Sequence, residues 1–116
     1  MAARVTLSIY SGRTDPSWPL SDEQIEELAE RLRSAERLAT LPTAQLGENL
    51  GYRGFLVESD DARLPARLAV YRNVAVAHRD GDVTAFRVPD LERFLVNTGR
   101  HAISDPTLSY LEQELG

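Results

Sequence analysis

The sequence predicts an α+β fold: a small, mostly antiparallel sheet of about five strands with one long helix and two short helices. Three observations lead to this prediction. Residues 21–38 carry apolar side chains at helical spacing behind a good N-terminal cap. Several short segments alternate apolar and polar residues, which is typical of half-buried strands. The connections between successive strands are short, and short connections permit only antiparallel neighbours.

The length and composition indicate one globular, soluble domain that spans residues 1–116. The chain is 42% hydrophobic and 27% charged, which is typical of folded domains and not of disordered chains. No apolar run approaches the roughly 18 residues that a membrane span needs. The N-terminal residues lead directly into a strand pattern, without the apolar core of a signal peptide. We therefore expect a cytoplasmic protein without a membrane partner.

The residue types exclude several kinds of chemistry. The chain has no Cys, so it has no disulfide, no thiolate zinc site and no Cys nucleophile. All 13 basic residues are Arg, and Lys is absent. The net charge of −5 argues against a nucleic-acid partner, because binding to phosphates needs a basic surface.

The first strand is predicted over residues 4–10, where Val5, Leu7 and Ile9 alternate with polar residues. The next residues, 13–19, contain two prolines, so we expect an irregular loop there. This loop connects the strand to the long helix.

The long helix has clear signals at its N-terminus. Ser21 is a good N-cap, and Gln24 follows at the position that completes a capping box. Leu20 and Ile25 form the matching hydrophobic staple. We expect the helix to end near Leu38. Its apolar stripe consists of Ile25, Leu28, Ala29, Leu32 and Ala35.

Strand patterns and turn signals dominate the second half of the chain. An irregular segment is expected over residues 39–51. Asp80-Gly81 lies between two strand-like runs, which predicts a two-residue type I′ hairpin turn. Gly54 lies inside a strand pattern and suggests a bulge or a close approach to the backbone. The predicted strands span residues 51–58, 66–72, 74–79 and 83–88.

Two short helices follow the last strand. Pro89-Asp90 opens the first, and Gly99 is suited to the position just after its end. Asp105 is the expected N-cap of the second, with Pro106 in its first turn. A sheet of this kind leaves an edge exposed, and exposed edges pair with other chains. We therefore expect a homodimer, with the last helix as another candidate contact.

The sequence contains no recognisable catalytic or metal-binding constellation. Its His residues, His78 and His101, belong to no G-x-S-x-G or H-E-x-x-H motif. The adjacent carboxylates Asp60 and Asp61 lack the further ligands that a calcium loop supplies. We therefore predict no metal, no cofactor and no catalytic side chain.

Aromatic and Arg residues indicate a binding groove instead, because these residue types dominate binding hot spots. Arg also binds carboxylates with two parallel hydrogen bonds. The alternative is structural: Trp18 fills the core, and Arg13 stabilises its own loop through Asp15. The predicted groove residues are Tyr10, Arg13, Asp15, Trp18, Tyr52 and Arg53.

Two segments carry a resemblance to a known family. They are residues 7–18 (Leu-Ser-Ile-Tyr-Ser-Gly-Arg-Thr-Asp-Pro-Ser-Trp) and residues 50–55 (Leu-Gly-Tyr-Arg-Gly-Phe). With the size and element order of the chain, they resemble small actinobacterial proteins encoded with peptide-modifying enzymes. Among these, the chain looks most like the lysinoalanine synthases of cinnamycin-type lanthipeptide biosynthesis. No catalytic residue of that family maps onto this chain.

The resemblance implies an enzyme that adds a Lys amine of a modified precursor peptide to a dehydroalanine in the same peptide. Such an enzyme can act by binding and preorganising the peptide, because the reaction is intramolecular. Two alternatives remain open. One is a non-catalytic peptide-binding module, such as an immunity or carrier protein. An acid/base hydrolase would have to use His78 or His101.

Overall fold

The structure, a computed structural model, describes residues 2–9, 15–39 and 54–115. These residues form seven strands and three α-helices, with one turn of 3₁₀ helix at Arg100–Ala102. The strands are β1 (Ala3–Leu7), β2 (Ser17–Pro19), β3 (Glu36–Arg37), β4 (Phe55–Ser59), β5 (Arg67–Tyr71), β6 (Val74–Arg79) and β7 (Asp82–Arg87). The helices are α1 (Asp22–Arg33), α2 (Leu91–Thr98) and α3 (Asp105–Leu115).

The strands form one antiparallel sheet in the order β2-β1-β4-β5-β6-β7-β3. The α+β class and the antiparallel pairing are as predicted, but the expected number of about five strands was wrong. The two additional strands, β2 and β3, lie at opposite edges and contain three and two residues. Strands this short show no alternation that sequence patterns can detect.

Helix α1 begins as predicted and ends earlier than predicted. The amide of Gln24 donates to the Ser21 hydroxyl at 3.2 Å, and the Ser21 amide donates to the Gln24 side chain at 2.8 Å, so the capping box is confirmed. The helix ends at Arg33 and not near Leu38. The residues that follow pair with β7 instead, and the Leu38 amide donates to the Ala85 carbonyl at 2.8 Å. Tertiary pairing thus overrides the local helical pattern.

Two tight hairpins connect β5, β6 and β7. Asp80 and Gly81 have φ values of 50° and 86°, which confirms the predicted turn with two left-handed residues. Arg72 and Asn73, with φ values of 50° and 65°, form a similar turn between β5 and β6 that the sequence did not reveal. The Asn73 amide donates to the buried Glu92 carboxylate at 3.0 Å. That contact fixes the second turn to α2.

The alternation of the strands gives the sheet two distinct faces. We use the term inner face for the side on which the buried apolar residues lie, and outer face for the other side. The register places Val57, Leu68 and Ala77 in one row on the inner face, while Arg67 and His78 are neighbours on the outer face. The largest buried core side chains are Trp18, Phe55, Leu7, Ile25, Leu28, Leu68, Leu91, Leu95 and Leu111.

The short helices differ from the prediction in detail. Helix α2 follows Asp90, which is left-handed and makes no side-chain cap. Gly99 follows the last residue of this helix, as predicted, and has φ −122°. Position 99 requires glycine because of its contact with the Trp18 ring, which is described below. Within the described ranges, no helix is long and apolar enough to cross a membrane.

Candidate functional site

The residues predicted to form a groove are only partly described. Tyr10, Arg13, Tyr52 and Arg53 lie outside the described residues. Their described neighbours do show how the two segments approach each other. The Ser8 amide donates to the Gly54 carbonyl at 2.9 Å, and Leu7 pairs with Phe55. The chain therefore leaves β1 and enters β4 at the same end of the same strand pair.

Trp18 is a core residue and does not line a groove. Its side chain is 1% exposed, and its indole Nε1 donates to the Thr98 hydroxyl at 2.9 Å. The Thr98 hydroxyl in turn donates to the Leu95 carbonyl at 2.6 Å. A Cβ on Gly99 would lie 2.1 Å from Trp18 Cε2. The structure therefore supports the alternative in which Trp18 fills the core.

Asp15 acts locally. Its carboxylate accepts a hydrogen bond from the Ile9 amide at 3.1 Å, which ties the start of β2 to the end of β1. The side chain also lines a pocket of about 430 Å³ on the outer face. We call this cavity the outer-face pocket, and its lining includes Ser8, Leu56, Arg67, Ala69 and His78.

Ser8, Asp15 and His78 all line the outer-face pocket, but the hydrogen bonds of the described residues join His78 to neither of the other two. His78 is exposed on the outer face, opposite Arg67 on β5. His101 is exposed in the 3₁₀ turn between α2 and α3. No group of three or more potential metal ligands occurs within residues 2–9, 15–39 and 54–115.

The larger cavity lies on the inner face, between the second half of α1 and the β6–β7 hairpin. We call it the helix-side cleft. It has a volume of about 570 Å³. Its walls are mostly apolar or small side chains. Ala29 and Leu32 lie on α1 and Ala35 follows it, whereas Ala77, Thr84 and Phe86 lie on the strands. Small residues on both sides leave the space that larger side chains would fill.

Charged residues line the edges of this cleft. At the end near β3, Arg37 lies opposite Phe86. At the hairpin end, Arg79 lies opposite Asp82, and Asp80 occupies the turn. Arg33 and Arg63 also line the cleft, but both are held by carboxylates outside it.

Arg63 is the centre of an ion-pair network beside the cleft. Its guanidinium lies 2.7 Å from Asp22, 2.8 Å from Asp61 and 3.3 Å from Glu26. The hydrogen bonds from the side chain and backbone of Arg63 lower the pKa of Asp61 to about 2. The network connects α1 to the segment before β5, so it fixes one wall of the cleft relative to the sheet.

Most of the cleft has no signal in the amino-acid sequence. The predicted hairpin did place Arg79 and Asp82 opposite each other. Arg37 was assigned to the helix, so its position beside Phe86 could not be foreseen. Arg37 reaches the cleft because β3 pairs with β7, and that pairing is not visible in the sequence pattern.

The chain matches no protein-family model, no curated protein and no solved structure. Two observations therefore indicate a function: the geometry described above and the resemblance of residues 7–18 and 50–55 to a known family.

Proposed function

We propose that this protein binds a modified precursor peptide in the helix-side cleft and closes a lysinoalanine cross-link in it. The observation that best supports the proposal is the cleft itself. Its volume of about 570 Å³ lies in the range of pockets that bind small ligands, and its walls are largely apolar. A peptide segment of a few residues fits this size. The reaction is the one that the resemblance to lysinoalanine synthases implies.

The proposed reaction needs no cofactor for its atoms and electrons to balance. The Lys nitrogen forms a bond to the β-carbon of dehydroalanine while the carbon–carbon double bond opens. The ammonium group loses a proton, and the α-carbon gains one. A free Lys amine has a pKa of about 10.4, so an acceptor for its proton is required. A carboxylate of the peptide, or Asp80 or Asp82 at the edge of the cleft, supplies an acceptor.

The protein contributes mainly by holding the peptide in a reactive conformation. Bringing two groups of one molecule together can supply roughly 7–11 kcal/mol in the best cases, because the entropy of their encounter is lost in advance. The composition suits this chemistry. The chain has neither Lys nor Cys, so no side chain of these types competes for the dehydroalanine.

The direct test uses a dehydrated, thioether-bridged precursor peptide. The peptide is incubated with the protein, treated with a thiol that adds to any remaining dehydroalanine, and examined by mass spectrometry. We expect thiol adducts to disappear as the cross-link forms. Persistent adducts in the presence of the protein would contradict the proposal. Binding of an unchanged peptide would favour a carrier or immunity module.

A pair of matched variants tests which cavity holds the peptide. Thr84 and Ala69 are half-buried strand residues on opposite faces, one in the helix-side cleft and one in the outer-face pocket. Thr84→Trp fills the cleft, and we expect it to slow cross-linking about tenfold or more. Ala69→Trp should leave the rate close to that of the unmodified protein. The opposite result would place the peptide on the outer face.

The His residues provide a further test. His78 and His101 lie outside the helix-side cleft, so a double His→Ala variant should retain full activity. A loss of turnover with unchanged peptide affinity would favour acid/base catalysis by one of them over preorganisation.

A further inference from the structure

The two ends of the helix-side cleft carry different charges. Arg37 marks the end near β3, where it lies opposite Phe86. Asp82 marks the hairpin end and lies on the same strand as Phe86, four positions away. At about 3.4 Å per residue, the two ends are separated by about 14 Å. The carboxylates that line the cleft, Asp80 and Asp82, are both at the hairpin end.

These charges are not neutralised within the part of the chain that the structure describes. The ion pairs and hydrogen bonds of the described residues include none from Arg37, Asp80 or Asp82. Arg33, by contrast, lies 2.6 Å from Glu30. At the hairpin end Arg79 lies opposite Asp82, and Asp80 in the turn adds a second carboxylate, so these three groups leave an excess of negative charge there. The Arg37 end retains a positive charge.

The middle of the cleft separates these two ends with apolar surface. Leu32 and Ala77 are buried there. Charges beside apolar walls interact more strongly with a guest than charges in open water, because the local dielectric constant is lower. A guest that is neutral in the middle and oppositely charged at its ends complements this arrangement.

We propose that the helix-side cleft selects a peptide segment with an acidic and a basic side chain about four residues apart. The carboxylate binds Arg37, and the basic group binds Asp80 and Asp82. The inference rests on the proposed function, because it names the class of segment that the same cleft binds. It also fixes the direction in which the segment lies along β7.

Three short peptides test the selection directly. Each is acetylated, amidated and five residues long, with the same apolar residues in the middle. The first has Glu and Lys at its ends, the second has Gln at both ends, and the third has Lys at both ends. In NMR titrations with the full chain, we expect the first to bind about tenfold more tightly than the second. Equal affinities for all three would overturn the inference.

Charge exchange in the protein makes the test specific. Arg37→Glu should weaken binding of the Glu/Lys peptide about fivefold or more and make the Lys/Lys peptide the preferred ligand. Adding Asp82→Arg to that variant should restore the preference for the Glu/Lys peptide, which then binds in the opposite direction. Arg67→Glu is the matched control, because it makes the same charge change on the exposed outer face. An equal effect of Arg67→Glu would overturn the inference.

The outcomes separate this inference from the proposed function. Cross-linking of the precursor without any charge preference among the short peptides overturns the inference alone. Charge-selective binding without cross-linking supports the inference and contradicts the enzymatic part of the proposed function. If none of the three peptides binds, the inference is wrong, and the precursor experiment decides the proposed function by itself.

Discussion

Two regions of the inner face differ in how they use the same sheet. Around Trp18, the indole is 1% exposed, its Nε1 is hydrogen-bonded to Thr98, and Gly99 lies directly against the ring. Between α1 and the β6–β7 hairpin, Ala29 and Ala77 face each other across a cleft of about 570 Å³. Side-chain size at a few positions thus decides where the core ends and a cavity begins.

The first prediction removes the largest side chain of the packed region. Trp18→Ala should lower the free energy of unfolding by about 3–5 kcal/mol, because it leaves a cavity and removes the hydrogen bond from the indole to Thr98. Urea unfolding measures the change. The matched control is Phe86→Ala in the cleft, where the ring is half-buried and already borders open space. Its cost should be less than half as large, and equal costs would erase the contrast between the regions.

The second prediction adds one carbon to the packed region. Gly99→Ala should destabilise the fold by about 1–3 kcal/mol, because the new Cβ would overlap the Trp18 ring. The same measurement on Trp18→Phe and on the double variant gives the coupling free energy between positions 18 and 99. We expect Gly99→Ala to cost less in the Trp18→Phe background, where the ring is smaller. An unchanged cost would mean that steric contact with the indole is not the cause.

The third prediction adds atoms to the open region. Ala77→Val should change the free energy of unfolding by no more than about 0.5 kcal/mol, because the added methyl groups enter the cleft and valine favours strands. Thermal and urea unfolding provide the measurement. A loss as large as that of Gly99→Ala would show that the cleft closes in solution.

The fourth prediction concerns acid stability at the edge of the cleft. The Arg63 hydrogen bonds hold the pKa of Asp61 at about 2 in the folded protein, below its ordinary value of about 3.8. The pair therefore stabilises the fold above about pH 4, and this contribution is lost as the pH falls towards 2. Unfolding midpoints measured between pH 5 and about pH 2 should fall less steeply in Asp61→Asn. Arg63→Gln should flatten the same part of the curve, and an unchanged slope in both variants would contradict the assignment.

Local sequence signals predicted the parts of the fold that local interactions determine. The capping box of Ser21 and Gln24 and the turn at Asp80-Gly81 are both confirmed. Each depends on residues within a few positions of one another, so its signature is contained in a short segment.

Long-range pairing explains the parts that could not be predicted. The end of α1 was placed too late because residues 36–37 retain a helical pattern, although they pair with β7 in the fold. The position of Gly99 at the end of α2 was predicted, but its contact with Trp18, 81 positions away in the chain, was not. The helix-side cleft depends on the same kind of pairing. The prediction that Trp18 lines a groove also failed because the partners of Trp18 are distant in the chain.

The two outermost strands limit how this sheet can grow. β2 contains three residues and includes Pro19, which has no amide hydrogen to donate, and β3 contains only Glu36 and Arg37. Neither offers an incoming chain enough backbone groups for a continuous ladder, and both resist templated addition and fibril growth. Within residues 2–9, 15–39 and 54–115, side chains on the faces and helices are therefore better suited to a homodimer contact than these two edges.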